Sequence, residues 1–379
     1  GIAAPYQYVG GGYPGTTGDC AGTLNGGATC TINVEYAPGG VSAGDADTIS
    51  FAYNDGNGAQ AATRDVTGIA VAPANITITE ADPYDFGTVA TGASVTHVFT
   101  LNNTGGFTAS AVAEIGLAAP YAFTGGSFPG TTGTCLVTLG GGASCTLDLE
   151  FTPVGTGVAN DTISIQYANG VGTVTSDRDV TGTGAAPALI TITESDPYDF
   201  GQITVGSSTN HIFTLNNTGA VPATAVSGSG LVAPFSFTGG SFPGTTGTCI
   251  ATINNGASCT IDVTYAATGA VISNDTIDIN YTNGAGPVVS SRDVTGDGIA
   301  PALLTLSESD PYDFGLIANG GATNYSFTLN NAGGSSATGI NESVLAAPYD
   351  FLGGSFPGTG GDCAASLGAG ASCTIFLEF

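Results

Sequence analysis

The 379 residues include no lysine, no methionine and no tryptophan, and the basic side chains are two histidines and Arg64, Arg178 and Arg292. Set against 30 acidic residues, this leaves a formal charge of −27. Nucleic-acid binding needs cationic side chains that displace counterions from phosphates, so that function class is excluded. Anionic membrane surfaces are disfavoured by the same repulsion, whereas divalent cations and neutral partners remain compatible. No apolar run approaches the roughly 18 residues a membrane helix requires, so no membrane insertion is expected, and no signal peptide or lipidation motif is apparent. Charged residues are scarce at 9%, with 61 glycines in place of the usual ionic surface, yet 42% hydrophobic residues suffice for a buried core.

What is present is repetition. The stretch GGSFPGTTGTC at 125–135 returns unchanged at 239–249, with weaker copies GGGYPGTTGDC at 10–20 and GGSFPGTGGDC at 353–363. The cysteines fall into four C-x9-C pairs, Cys20/Cys30, Cys135/Cys145, Cys249/Cys259 and Cys363/Cys373, spaced by 115, 114 and 114 residues. ITITEADPYDFG at 76–87 recurs at 190–201 and, as LTLSESDPYDFG, at 304–315. FTLNNTG and RDVTG keep the same period. These landmarks predict two full units over 73–186 and 187–300, the second part of a unit over 1–72, and the first part of one over 301–379. The ends overlap, since LAAPYDF…CTIFLEF at 345–379 matches IAAPYQY…CTINVEY at 2–36. The chain therefore reads as a window on a longer array.

Within a unit the period is two. In VTHVFTLNN, Val95, His97, Phe99 and Leu101 share one face, with Thr96, Val98 and Thr100 opposite; CTLDLEF, DTISIQY and ITITE alternate likewise. Turn signals such as NNTG, GGGA and ANG separate these segments, and no stretch carries a capped helical period. About seven short strands in roughly 110 residues predict an all-β chain of antiparallel, immunoglobulin-type β-sandwiches. The junctions are short and proline-containing (Ala186-Pro187-Ala188, Ala300-Pro301-Ala302). Proline fixes its own φ and keeps its predecessor extended, so a semi-rigid, rod-like array is expected.

The order FG-x-(I/V), FTLNNTG, APF(S/A)F, GASCT(I/L)D(V/L) and a closing VTGTG resembles the abnormal-spindle/hydin group of immunoglobulin-like domains. It is similar in particular to the versions strung in tandem in bacterial choice-of-anchor D surface proteins. The resemblance extends over essentially the whole chain. It implies an immunoglobulin-like sandwich in an extracellular, structural or adhesive setting, and it carries no catalytic residues to transfer.

The C-x9-C spacing fits neither the C-x2-C nor the nearby histidines that zinc would want. In TCLVTLGGGASCTLDLEF two strands flank the turn GGGA, so Cys135 and Cys145 are expected to face each other across a hairpin as a disulfide. Four such pairs indicate an oxidising, extracytoplasmic compartment. The glycine phrase lacks the Lys-Ser/Thr of a phosphate loop and precedes no helix. Its Pro129-Gly130 and Thr132-Gly133 are read as tight turns, with Phe128, Phe242, Phe356 and Tyr13 as buried anchors.

The phrase E-x-D-P-Y-D-F-G supplies Glu80, Asp82 and Asp85, then Glu194, Asp196 and Asp199, then Glu308, Asp310 and Asp313. Hard oxygen ligands just after each junction could hold calcium and stiffen the array, although the spacing departs from the D-x-[DN]-x-[DN]-G calcium loop; no other cofactor is indicated. Each RDVTG arginine, Arg64, Arg178 or Arg292, is expected to find a carboxylate, Arg178 either in its own domain or in Glu194–Asp199 of the next. His97 and His211 lie on a core face, their counterpart is Tyr325, and no Ser/His/Asp order accompanies them, so no enzyme activity is expected. N-x-S/T sequons stand at Asn102, Asn160, Asn216 and Asn274.

These features point to a non-catalytic structural repeat region of an extracellular or cell-surface stalk or filament, with self-association or further repeats as its partners. Two alternatives stand beside this reading: an adhesin region binding a glycan or protein on another cell, and a spacer in a secreted enzyme.

Overall fold

A computed structural model describes residues 1–341 and 345–379. The chain forms two compact units, residues 1–185 and 186–379. Strands and turns make up the described residues apart from one 3-10 turn at Thr124–Gly126.

In the copy over 73–186 one sheet carries four strands, in the order Ile76–Ile78, Val95–Asn103, Ser144–Phe151, Tyr121–Phe123. The other carries five, in the order Thr138–Leu139, Ala109–Glu114, Gly157–Ala168, Thr173–Ala185, Tyr84–Ala90. The alternation in VTHVFTLNN does what its period requires: Phe99 and Leu101 are fully buried, and across the ladder Leu147, Leu149 and Phe151 join them. Ile163, Ile165, Tyr167 and Val180 close the core from the five-stranded sheet. The copy over 187–300 repeats this arrangement, with Phe213, Leu215, Ile261, Val263 and Tyr265 on one side and Ile277, Ile279 and Val294 on the other.

Two details differ from the sequence-based expectation. Nine strands form rather than about seven, because the sandwich is completed by pieces as short as Thr138–Leu139. The sheets are also not wholly antiparallel. Tyr84–Ala90 runs parallel to Thr173–Ala185, and Tyr198–Thr204 parallel to Pro287–Ile299. The chain achieves this because Ile76–Ile78 belongs to one sheet and the next strand crosses, through the Asp82-Pro83 bend, to the edge of the other.

At the two ends the same elements occur in part. Residues 1–72 hold two ladders, Tyr6–Tyr8 with Val34–Tyr36, and Ser42–Asn54 with Ala59–Ala70. Residues 301–379 hold the four-stranded sheet and the short pair Ala337–Thr338 with Ser366–Leu367.

Candidate functional site: the acidic phrase and its arginine

The structure does not gather the carboxylates of E-x-D-P-Y-D-F-G into one ligand set; each accepts a different hydrogen bond. Glu80 Oε1 accepts the Thr100 N–H at 2.8 Å, and Asp85 Oδ1 accepts the Gly87 N–H at 2.7 Å. Asp82 turns to the last strand of the same copy, where it accepts the Asp179 N–H at 3.2 Å and lies 3.4 Å from Arg178 Nη1. The next copy repeats these contacts through Glu194 on Thr214, Asp199 on Gly201, and Asp196 on Asp293 N–H and Arg292. Glu308 and Asp313 keep the first two bonds, while Asp310 forms no ion pair among the described residues. Nor do any three His, Cys, Asp or Glu side chains among the described residues converge as a metal site.

The arginines choose between the two partners expected of them. Arg178 pairs within its own copy, and its Nη2 also donates to the Ile78 carbonyl at 2.5 Å. Arg292 does the same with Asp196 at 3.3 Å and the Ile192 carbonyl at 2.6 Å. Both side chains are 15% exposed, so each guanidinium is held largely out of water by one charge and one carbonyl dipole. Arg64 is exposed and forms no ion pair among the described residues; no acidic phrase stands before it in residues 1–63.

The histidines are packing residues. His97 stacks on Tyr84 at 4.0 Å and His211 on Tyr198 at 4.1 Å, and Tyr325 takes the same place over Tyr312 at 4.4 Å. A flat ring is what the three positions share, so imidazole chemistry is not required there. Burial, with Glu80 and Asp85 nearby, pushes the Tyr84 hydroxyl above its ordinary pKa. Beside the Asp82-Pro83 bend a surface groove of about 460 Å³ is lined by Asn160, Asp161, Thr162 and Asp179. Asp161 is already engaged there, accepting the N–H groups of Ala118 and Thr162.

All four C-x9-C pairs are disulfides, Cys20–Cys30, Cys135–Cys145, Cys249–Cys259 and Cys363–Cys373, and no cysteine is free. The hairpin expected around them is not present, however. Thr138–Leu139 joins the five-stranded sheet, while Cys145 sits on Ser144–Phe151 in the four-stranded one. Cys259 likewise lies opposite Leu215 in the four-stranded sheet, whereas Thr252–Ile253 pairs with the Ala223–Ser229 strand of the other. The last pair departs from the hairpin in the same way. Cys373 lies opposite Leu329 in the four-stranded sheet, but Ser366–Leu367 pairs with Ala337–Thr338. The cause is the apolar residue between each pair of cysteines. Leu139, Ile253 and Leu367 are buried, and the short strand that carries each one ladders with the earlier strand of the second sheet. The bridge therefore closes a crossover between sheets. Its sulfurs are buried too, Cys135 and Cys145 at 1% and 7% exposure and Cys363 and Cys373 at 6% and 7%.

The glycine phrase caps the outer face of the four-stranded sheet, and a residue not singled out from the sequence holds it there. Asp148 points outward yet is buried, because the loop folds over it. Its carboxylate accepts the Thr124 and Thr132 hydroxyls, both at 2.7 Å. Those bonds hold its pKa below the usual carboxylate range. At Asp262 burial acts the other way, but the bonds from Asn210, Thr246 and Thr238 outweigh it and the net shift is again downward. Gly130 has φ +95° and lies so close to the Asp148 carbonyl that a Cβ would collide with it. Phe128 anchors the loop edge-on to Phe123 at 5.6 Å. Phe242 on Phe237 and Phe356 on Phe351 repeat the contact. Tyr13, 48% exposed, leans on Tyr8 instead.

A second missed residue is the last Asn of each FTLNN. Asn103, Asn217 and Asn331 are each 1% exposed. Asn103 Oδ1 accepts the Asn75 and Gly105 N–H groups, and its Nδ2 donates to the carbonyls of Phe107, Leu139 and Gly140. One amide thus saturates the backbone where a copy begins. The doubled NN reads as a turn signal, and only burial distinguishes the second Asn from the first.

The family profile described as HYDIN/CFA65/VesB-like, Ig-like domain matches residues 191–292. The copy over 187–300 is a hydin-type Ig-like domain. The other copies carry its motifs in the same register. Among solved structures, the chain is similar to a Porphyromonas gingivalis W83 protein of unknown function, at 15% identity over 59% of this chain and 99% of that one, TM-score 0.25. It is similar to the Vibrio cholerae VesB protease at 17% identity over 29% of this chain and 32% of that one, TM-score 0.24. With the titin I-band fragment I67-I69 the identity is 12% over 81% and 89%, TM-score 0.30. No curated protein matches the sequence. No helix among the described residues is long and apolar enough to cross a membrane.

Proposed function

We propose that these hydin-type Ig-like domains are the structural repeat region of an extracellular stalk or filament, without catalysis of their own. The observation that carries this reading is the recurrence of one disulfide in every copy, with no cysteine left free. Such bonds persist in oxidising surroundings. The domain boundaries are proposed to fall at 72/73, 186/187 and 300/301. The hydrogen bonding of one copy begins almost where the previous strand ends: Ala72 accepts from Gly106 two residues after Ala70, and Ala300 accepts from Gly334 directly after Ile299. Junctions of this kind leave little slack for bending. The side chains that sequence alone offers to chemistry are absorbed in packing and internal bonds, namely His97 in a ring stack and Asp82 on Arg178.

Electron microscopy of native material from the cell surface tests the reading. Continuous fibres or rods with a regular repeat along their length are expected. Detection of the chain only inside cells with its cysteines reduced would overturn it. A knob at one end of rods of fixed length would assign binding or enzyme activity to a neighbouring region and leave these copies as its stalk or spacer.

A further inference from the structure

We propose that each complete copy is a load-bearing element whose single arginine is the latch that resists tension along the chain. The chain enters the 187–300 copy through Ile190–Ile192 and leaves it through Pro287–Ile299. Between them Tyr198–Thr204 pairs in parallel with the leaving strand, in a register running from Tyr198↔Val294 to Thr204↔Ile299. In a parallel pair, a pull on the start of one strand and the end of the other runs along both strands and across their hydrogen bonds. The whole ladder must then slide at once instead of opening bond by bond. The entering segment is also fastened directly to the leaving strand. Arg292 donates to the Ile192 carbonyl at 2.6 Å and pairs with Asp196 at 3.3 Å, and Asp196 accepts the Asp293 N–H at 3.2 Å.

The 73–186 copy has the same latch, Arg178 on Ile78 and Asp82, beside the parallel pair Tyr84–Ala90 and Thr173–Ala185. This accounts for the single basic residue of each complete copy: a guanidinium can grip a carbonyl and a carboxylate together, which the point charge of a lysine does less well. The disulfide Cys249–Cys259 lies outside this path, tying a crossover to an inner strand.

The proposal deepens the stalk reading and takes its setting from it, but its test needs no cell surface. The full chain is pulled from its two ends in a single-molecule force experiment. The two complete copies are expected to give the two highest rupture forces. Reduction should lengthen each step by about 35 Å, from the 10-residue separation of the cysteines at roughly 3.3–3.6 Å per residue, without lowering the force. Arg292→Gln is expected to lower one of the two forces and leave the other, with Arg178, as internal control; Arg292→Lys should fall between.

Asp262→Ala separates a latch from general destabilisation, because it should lower the melting temperature while largely sparing the rupture force. Handles at residues 269 and 299, which open the last hairpin from its end, should give a several-fold lower force than end-to-end pulling. Equal forces in the two pulling directions, or two unchanged peaks in Arg292→Gln, would overturn the proposal while leaving the stalk reading intact.

Discussion

The copy at 187–300 and the stretch 301–379 begin with almost the same sequence and fold differently. In the first, Ile190 and Ile192 are 1% and 5% exposed; their counterparts Leu304 and Leu306 are 39% and 53% exposed. SDPYDFG leads into the strand Tyr198–Thr204 in one, whereas residues 312–318 form no strand in the other. Within residues 301–379 there is no counterpart of the hairpin Ile272–Thr282 with Pro287–Ile299, which covers the core and supplies the parallel partner. The four-stranded sheet forms in both places. Its ladders are therefore closed by residues near in sequence, while the acidic phrase becomes a strand only against residues roughly a hundred positions later.

The largest test of this contrast is cavity formation. Ile192→Ala should cost the 187–300 copy about 3–4 kcal/mol, and Leu306→Ala under about 1 kcal/mol, since the second side chain already meets water. Equal losses in denaturant melts would break the comparison. Next, removing either disulfide of a complete copy by paired Cys→Ser changes should cost about 3 kcal/mol in the chain-entropy account. Timed alkylation should find Cys20–Cys30, both half-buried, reduced before Cys135–Cys145.

A smaller effect, about 2 kcal/mol, is expected for Asp262→Ala, which strands the Thr238 and Thr246 hydroxyls. The counterparts at the ends are Asn33 and Phe376, so the complete copies alone carry this acid-sensitive grip. Asp148 and Asp262 both titrate below their ordinary value when folded. Their contribution is thus full above about pH 4 and is lost as pH falls through the lowered folded pKa. Glu114, raised by burial, acts in the opposite sense, gaining stability on acidification. Asp262→Asn should flatten the fall in melting temperature of its copy below about pH 4; an unchanged profile would remove Asp262 from the account.

The smallest effect concerns the bulge in the strand Ala109–Glu114. Ala111 and Ala225 hold φ of 52° and 53°, where the third counterpart is Gly339 at 71°. Alanine is strained in that region, so Ala225→Gly should be stabilising or neutral by at most about 1 kcal/mol, and Gly339→Ala destabilising.

Much of this was legible in the sequence. The alternation in VTHVFTLNN gave the buried face, C-x9-C gave the disulfides, and the isolation of each arginine in an acidic chain gave an ion pair. Other parts were not, for identifiable physical reasons. The parallel strand depends on a partner remote in sequence, and nothing local marks it. The same holds for the short strands between the cysteines: Leu367 and Cys373 are close neighbours in sequence, yet their strands belong to different sheets. Asp148 occupies an outward-facing position of its strand, where a carboxylate is ordinarily solvated; only the loop's return buries it. The calcium reading rested on the nearness of Glu80, Asp82 and Asp85 in sequence. The backbone sends them instead to Thr100, Arg178 and Gly87.

The closeness of successive hydrogen-bond networks at the junctions has a consequence for how such a chain can vary. Side chains in a strand alternate faces with every residue, so one residue added between Ile299 and Ala300 would put the next copy out of step with Asn331 and its five partners. Whole copies can be gained or lost without disturbing any bond. Length in this architecture is therefore counted in integers: the spacing at a junction is fixed, and the number of copies is the quantity free to change.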